Sequence, residues 1–399
     1  MTGPMEGIKV VEVGLWVAGP AAAAILGDWG ADVVKIEPPD GDPFRGLLSA
    51  FGGDGTSPPF ELDNRNKRSV SLNLSTPEGR EIAAKLVDGA DVFVTNARPL
   101  ALERAALDYD TVSARNPRLV YAQINGYGMT GDDRDRAAFD VGAFWSRAGV
   151  AASLTPDGTD LPYQRGGMGD HMAGMAAAGA VSAALLARER TGKGQLVATS
   201  LMRIGMYMVG WDVSMALRLG FPTTPMTVNA PPNPMISAYV AGDGRRFWLL
   251  GLQGGRMWPD VLRAIGKPEW ADDERFATME ARFVNSAPLV EELNTAFAAK
   301  PLDEWGEVFD RENVWWAPVQ YPHELIDDPV AHAAGGFVDV PSPYGDSIKG
   351  VASPVDFFGT PAAPHSTPPE FAQHTEEVLL ELGYDWDRII DLKDAGAIP

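Results

Sequence analysis

Two apolar runs joined by a turn and an alanine-rich segment constrain this chain more than any other feature. Gly7-Ile8-Lys9-Val10-Val11-Glu12-Val13 is rich in β-branched residues and stops at Gly14, the pattern of a parallel strand buried on both faces. Gly19-Pro20 opens an alanine-rich helix to Trp29, with Pro20 in a first-turn position where its missing N–H costs nothing. Gly30-Ala31-Asp32-Val33-Val34-Lys35-Ile36-Glu37 is the next strand, closed by Pro38-Pro39. Strand, turn, helix and strand in this order predict a βαβ unit. The fold class is therefore α/β, with a doubly wound parallel sheet that binds ligands at the carboxyl ends of its strands.

The alternation continues. Ser69 to Leu74, Asp91 to Thr95 and Leu119 to Ile124 read as further strands, with a helix from Thr76 to Val87 between the first two. Asn96 falls at a strand's carboxyl end, and Gly126-Tyr127-Gly128 closes another strand. Phe44 to Asp63 is rich in Gly, Ser and Pro and reads as an irregular loop, a lid or a contact arm. Leu196 to Leu219 reads as a strand and a long helix. Its Met202, Met206, Met208 and Met215, with Tyr207 and Trp211, are expected in the core. Prolines at Phe221-Pro222-Thr223-Thr224-Pro225 and Pro231-Pro232-Asn233-Pro234 mark a linker. A hairpin turned at Gly242-Asp243-Gly244 follows, then helices, so the smaller second domain is α+β. Pro341 to Pro364 is expected to cross a surface, and Thr375 to Leu382 to dock as an amphipathic helix on the first domain.

With 399 residues the chain exceeds one ordinary core, and two domains are expected. A formal charge of −21 opposes polyanionic partners, so neither nucleic acid nor an anionic membrane surface is expected. Basic residues gather as Arg65, Lys67 and Arg68, as Arg98 and Arg104, and as Arg134 and Arg136; taken singly each cluster reads as a solvated surface with ordinary salt bridges. The chain holds no cysteine, which removes thiol chemistry and fits a reducing cytoplasm. Met1-Thr2-Gly3-Pro4-Met5-Glu6 lacks the basic start and apolar run of a secretory signal. The run Met172 to Ala187 is short and rich in Ala and Gly for a membrane span. A cytoplasmic protein is expected.

A covalent nucleophile in such a chain is an oxygen, and the candidate is Asp170, within Arg165-Gly166-Gly167-Met168-Gly169-Asp170-His171. There a loop becomes a helix, whose positive end is expected to keep the carboxylate ionised. The glycines leave room for a substrate carbonyl. Asp before a helix is equally a favoured N-cap, and on the heptapeptide alone the cap is the plainer reading. The chain shows no GxxxxGK[ST] phosphate loop, HExxH helix or GxSxG elbow. Its five histidines have no metal-ligand spacing, so no metal is expected. Glu37 could hold a ribose hydroxyl, but Gly14 to Gly19 lacks the GxGxxG spacing of a dinucleotide site.

Several of these stretches together resemble the class III CoA-transferases, the family of formyl-CoA transferase and carnitine CoA-transferase. They are Gly7 to Val13 with Gly19-Pro20, Gly30 to Glu37, Asn66-Lys67-Arg68-Ser69-Val70, Asn96 with Pro99, and Gly169-Asp170. Thr191-Gly192-Lys193-Gly194-Gln195, Trp316-Ala317-Pro318-Val319, and His374-Thr375 through Glu381-Leu382-Gly383-Tyr384 match as well. The resemblance implies a Rossmann-like large domain built from residues 1–220 and 331–399, with the linker and small domain in 221–330, and an interlocked homodimer. It implies acyl-CoA as co-substrate and Asp170 as the catalytic nucleophile. CoA contacts then fall on Trp16, Val17, Leu72, Asn73, Asn96, Arg98 and Arg104, with Arg136 near another.

Departures separate the relatives. Pro38 stands where formyl-CoA transferases carry a basic residue, and Pro231-Pro232-Asn233-Pro234 where they carry a glycine loop, which argues against a formyl/oxalate pair. The related α-methylacyl-CoA racemases pair the aspartate with a histidine in the turn that here holds Tyr127, so transfer is preferred to racemisation. A racemase-like enzyme and an inactive CoA-binding homologue remain the alternatives. Trp16, Trp145, Trp211, Trp315 and Trp316 suggest an apolar or aromatic acid as substrate, or else simply fill a core.

Overall fold

The structure, a computed structural model, describes residues 3–47, 57–156, 158–222, 226–342 and 345–399. Part of the expected arm (48–56) and of the expected linker (223–225) lies outside the described residues. The chain divides into two compact units: Met1–Ser153, Leu161–Thr223 and His332–Pro399 form the first, Leu154–Asp160 and Thr224–Ala331 the second.

The first unit is built on a sheet of six strands: β1 (Lys9–Val13), β2 (Asp32–Glu37), β3 (Lys67–Ser71), β4 (Val92–Thr95), β5 (Val120–Asn125) and β6 (Leu196–Ser200). Their order is β3-β2-β1-β4-β5-β6 and every pairing is parallel. Period-2 alternation fills both faces. Val10, Val92, Val94, Val120, Ala122 and Ile124 face one core with the helices Ala18–Asp28 and Met168–Thr191. Val11, Val34, Ile36, Phe93 and Tyr121 face the other with Pro77–Asp88 and two C-terminal helices, Thr375–Glu381 and Trp386–Asp394.

Two small-residue helices pack closely. A Cβ on Gly174 would lie 2.9 Å from Ala21 Cβ and 3.1 Å from the Ala22 nitrogen, so the alanine content of Ala18–Asp28 and Met168–Thr191 is what permits their approach. Met168–Thr191 spans 24 residues and by composition could cross a bilayer. Here it lays the Ala173, Ala177, Ala178, Val181 and Ala184 face into the core.

The edge strand β3 is covered from the far end of the chain. His374 Nδ1 accepts the Ser69 N–H (3.2 Å), Thr375 Oγ1 accepts the Ser71 N–H (3.1 Å), and the His374 N–H donates to the Ser69 carbonyl (2.9 Å). Docking of the Thr375 helix onto this domain agrees with expectation; the further helix Trp386–Asp394 was not foreseen.

Other expectations need correcting. The loop expected from Phe44 to Asp63 contains the helix Pro58–Asn64 and a 3-10 turn, Pro43–Gly46. The expected surface-crossing tail, Pro341 to Pro364, contains the strand Ser347–Val351, which pairs antiparallel with Phe337–Pro341 just before it. Strand β3 starts two residues before the expected Ser69, because Lys67 is buried and continues the ladder. The long helix expected after β6 is two, Leu201–Met208 and Gly210–Leu219, and it is not core. Tyr207 is 88% and Trp211 82% exposed, with Met206, Met208 and Met215 also exposed. A methionine-rich, aromatic helix satisfies a core pattern whether or not the chain itself supplies the cover.

Arg65 and Lys67 are likewise not solvated. Arg65 is 3% exposed and pairs with Asp28 at 2.5 Å, and Lys67 pairs with the buried Glu12 at 2.7 Å.

The second unit joins Ala238–Val240, Arg246–Leu249 and Trp316–Pro318 in an antiparallel sheet. Its core is aromatic: Phe247, Phe297, Trp305 and Phe309 pack at centroid distances of 5.0–5.9 Å.

Candidate active site

In this strand order the topology reverses between β1 and β4, and the loops at their carboxyl ends diverge to open a crevice. A cavity of about 560 Å³ occupies that place. Its walls come from the ends of five strands, at Val13, Glu37, Leu72, Asn96 and Asn125, and from Asp170 at the start of the Met168–Thr191 helix. Trp16, Val17, Leu72, Asn73, Asn96, Arg98 and Asp170 thus share one pocket, all within the first unit. Arg104 and Arg136 do not line it. Arg104 is exposed on the helix Pro99–Ala105, and Arg136 binds Asp133 at 3.3 Å and lies over the Tyr127 ring. Tyr127 is off the pocket wall as well, and so is His171.

The turn Gly14 to Val17 is held from beneath. Asn96 Oδ1 accepts the Leu15 N–H at 3.1 Å while its Nδ2 donates to the Leu15 carbonyl at 2.8 Å. Asp42 accepts the Trp16 N–H at 3.2 Å, and Lys35 donates to the Gly14 carbonyl at 2.7 Å. Trp16 has φ +66, a conformation that side-chain-bearing residues rarely adopt without such restraint. A Cβ on Gly14 would meet Asn96 Oδ1 at 3.1 Å and Glu12 Oε1 at 3.2 Å. Asn96 therefore acts on the turn with both ends of its amide.

Below lies a buried ionic network. Lys35 contacts Glu12 (2.8 Å) and Asp42 (3.0 Å), and all three side chains are fully buried. Burial alone would lower the Lys35 pKa, but Glu12, Asp42 and Glu37 outweigh it and raise it. For Lys67 burial wins, bringing the ammonium down to about 8. Glu37 accepts hydrogen bonds from Arg45, the Asp42 N–H and Ser69, so its carboxylate is engaged inside the protein rather than presented to a ribose.

Asp170 lies in the first turn of its helix, not at the cap. Gly167 occupies the cap with φ +76 and no side chain to offer. The missing acceptor comes from Asp140, whose Oδ2 takes the Gly169 N–H at 3.1 Å. That bond explains Gly169, since a Cβ there would lie 2.3 Å from Asp140 Oδ1 and 2.3 Å from Phe144 Cγ. The glycine is required by packing behind Asp170.

The electrostatic expectation for Asp170 is reversed. Burial first, then the Asp140 carboxylate, push its pKa up to about 7, with Asp63 adding to the rise and His171 opposing it. The helix terminus favours the anion, but desolvation beside a second carboxylate outweighs it. Asp140 itself is raised, mainly by burial. His171 Nε2 lies 3.1 Å from the buried Asp63 carboxylate, a hydrogen bond that raises the imidazole pKa and favours its charged form. Sequence reasoning missed Asp140 and Asp63, which sit in unremarkable surroundings 30 and 107 positions before Asp170. Only the fold brings them to it.

A desolvated carboxylate on an apolar crevice, raised to about 7 and followed in the chain by a histidine whose charged form Asp63 favours, is equipped for nucleophilic attack on an activated acyl group. Comparison with known proteins identifies the family. Residues 5–375 match CoA-transferase family III. The chain is 35% identical to (R)-2-hydroxy-4-methylpentanoate CoA-transferase of Clostridioides difficile, covering 99% of each chain. It is 33% identical to cinnamoyl-CoA:phenyllactate CoA-transferase of Clostridium sporogenes, over 98% of this chain and 96% of that one. A crystal structure of a CaiB/BaiF family protein from Brucella suis superposes with TM-score 0.83 at 30% identity, covering 96% of this chain and 100% of that one. With this sheet, this crevice and these relatives, the chain is an enzyme of CoA-transferase family III.

Proposed function

We propose that the enzyme moves coenzyme A from an acyl-CoA to a free carboxylic acid through covalent intermediates on Asp170. The observation that carries this reading is the Asp170 carboxyl on the crevice wall, with a pKa raised to about 7. Raising a carboxylate's basicity strengthens it as a nucleophile, and a value near 7 leaves a substantial ionised fraction at neutral pH.

One Asp170 oxygen attacks the thioester carbonyl. The C–S bond breaks, CoA leaves as the thiolate, and a mixed anhydride forms. The thiolate then attacks the aspartyl carbonyl, the C–O bond to the donor acyl group breaks, and the donor acid departs as its carboxylate. The resulting aspartyl-CoA thioester is attacked by the acceptor carboxylate, and the same two steps run in reverse. Thioester energy is carried across throughout. The crevice walls Trp16, Phe139 and Leu201 suit an acid with an apolar body, in keeping with the 2-hydroxy-4-methylpentanoate and phenyllactate named for the two relatives. Of the tryptophans, Trp16 lines the crevice; Trp145 is core, while Trp211 and Trp315 are exposed.

CoA contacts are proposed at Trp16, Val17, Leu72, Asn73 and Arg98, with Asn96 holding the turn; Arg98 offers the fork that suits phosphate. The exposed Tyr207, Trp211, Leu217 and Phe221 support a homodimer, since a patch of this kind marks an interface. Incubation with acyl-CoA and hydroxylamine, followed by denaturing mass spectrometry, tests the mechanism. An aspartyl hydroxamate on Asp170 is expected; its absence from an enzyme that still exchanges CoA between two acids would refute the covalent route.

A further inference from the structure

A second cavity, of about 290 Å³, lies wholly within the second unit and is walled by Pro234, Met279, Phe283 and Val284. Arg282 belongs to its lining but is only 2% exposed. Its Nη1 donates to the Phe276 carbonyl at 2.7 Å, while Nη2 meets no acceptor. The guanidinium lies 5.0 Å from the Trp258 ring centroid, and the buried Trp258 Nε1 is likewise without an acceptor. Neighbouring buried donors left open in this way are unusual in a folded chain.

The open nitrogen faces a helix start. A Cβ on Gly254 would lie 3.8 Å from Arg282 Nη2, Asn233 Oδ1 and Met279 Cγ alike, so Nη2 sits among atoms of the cavity wall. Gly254–Ile265 begins there with Gly254-Gly255 and no side-chain cap; the Arg256 and Met257 N–H groups go to the Gln253 carbonyl, which leaves those of Gly254 and Gly255 to an outside acceptor. Burial lowers the Arg282 pKa, yet a guanidinium stays protonated at neutral pH. A fixed positive charge with its open Nη2 thus borders the cavity beside a helix terminus.

We infer that this cavity is an anion-binding site of the second unit, built for a monocarboxylate with an apolar body. Arg282 Nη2 takes a carboxylate oxygen, and Met279, Phe283 and Val284, all exposed, cover the hydrocarbon. Glu280 is the one carboxylate of the lining; it repels a second negative charge, which disfavours phosphate. The site is independent of the Asp170 chemistry.

Crystals grown with 4-bromophenylacetate test it, because the bromine's anomalous signal reports position and tells this cavity from the Asp170 crevice. Bromine is expected between Phe283 and Val284, with the carboxylate within hydrogen-bond distance of Arg282 Nη2. In solution, Gly254→Leu and Arg282→Lys are each expected to weaken this binding event at least tenfold. The Cβ of the Gly254 variant enters at ordinary contact distances, and circular dichroism of each variant identifies the folded preparations on which the comparison is made. The neutral 4-bromophenylacetamide binding equally well, phosphate taking the place instead, an ordered water alone completing Nη2, or wild-type affinity in folded Gly254→Leu would each overturn the assignment.

Discussion

Replacing Asp170 by Asn should abolish CoA transfer and, at alkaline pH, make the protein more stable. In the folded state the carboxyl holds its proton up to about pH 7, against 3.8 for the free group. At roughly 1.4 kcal/mol per tenfold change in proton affinity, ionising it inside the fold costs about 4 kcal/mol. The sign follows from proton binding: a folded state that holds the proton more tightly is favoured at low pH and loses that advantage as pH rises from 3.8 to about 7. Asn has no charge to desolvate, so its advantage over the wild type is about 1.6 kcal/mol at pH 5 and about 4 kcal/mol at pH 8.5. For a unit of this size about 2 °C accompanies each kcal/mol, which puts the variant's Tm roughly 8 °C above wild type at pH 8.5 and roughly 3 °C above at pH 5. Differential scanning calorimetry at the two pH values measures the offset. An offset that is the same at both, or a variant that melts below wild type throughout, would refute the claim that burial and Asp140 strain this carboxylate.

Other tests address the surrounding groups. His171→Gln removes the charge that lowers the Asp170 pKa, so the inflection in the pH profile of kcat/KM should move to higher pH by about half a unit or more; a shift to lower pH contradicts the assignment. Asp140→Asn should move it the other way, by removing the largest neighbouring charge that raises Asp170. Gly169→Ala drives a Cβ into Asp140 and Phe144 and is expected to lose about 1–3 kcal/mol in urea unfolding together with activity. Lys35→Met leaves the buried Asp42 without a cation and Glu12 with Lys67 alone, and unfolding should report a loss of about 3–5 kcal/mol.

The sheet was legible because burial on both faces writes itself into local sequence. Val10-Val11, Val33-Val34 and Val92 to Val94 are apolar at every step, and only a central parallel strand needs that. The pocket's position followed from strand order, and seven of the residues singled out, Asp170 among them, meet there. What the chain did not disclose is what distant segments do to one another. The rise in the Asp170 pKa comes from burial first and then from Asp140 and Asp63, whose proximity no spacing encodes. The methionine-rich helices after β6 failed for a different reason: an apolar face says that something covers it, not what. Lys67 was misjudged because a lysine between Asn66 and Arg68 looks like surface until Glu12 is placed beneath it.

The covering of β3 by His374 and Thr375 also bears on synthesis. The bond from Ser71 to Thr375 joins residues 304 positions apart, and at ~5–20 residues per second a ribosome needs roughly 15–60 s to deliver the second after the first. Through that interval the strand's outer N–H and C=O groups remain open to any other extended chain. The nascent protein therefore carries an open strand edge until residue 375 has been made, and deleting the Thr375–Glu381 and Trp386–Asp394 helices would make that exposure permanent.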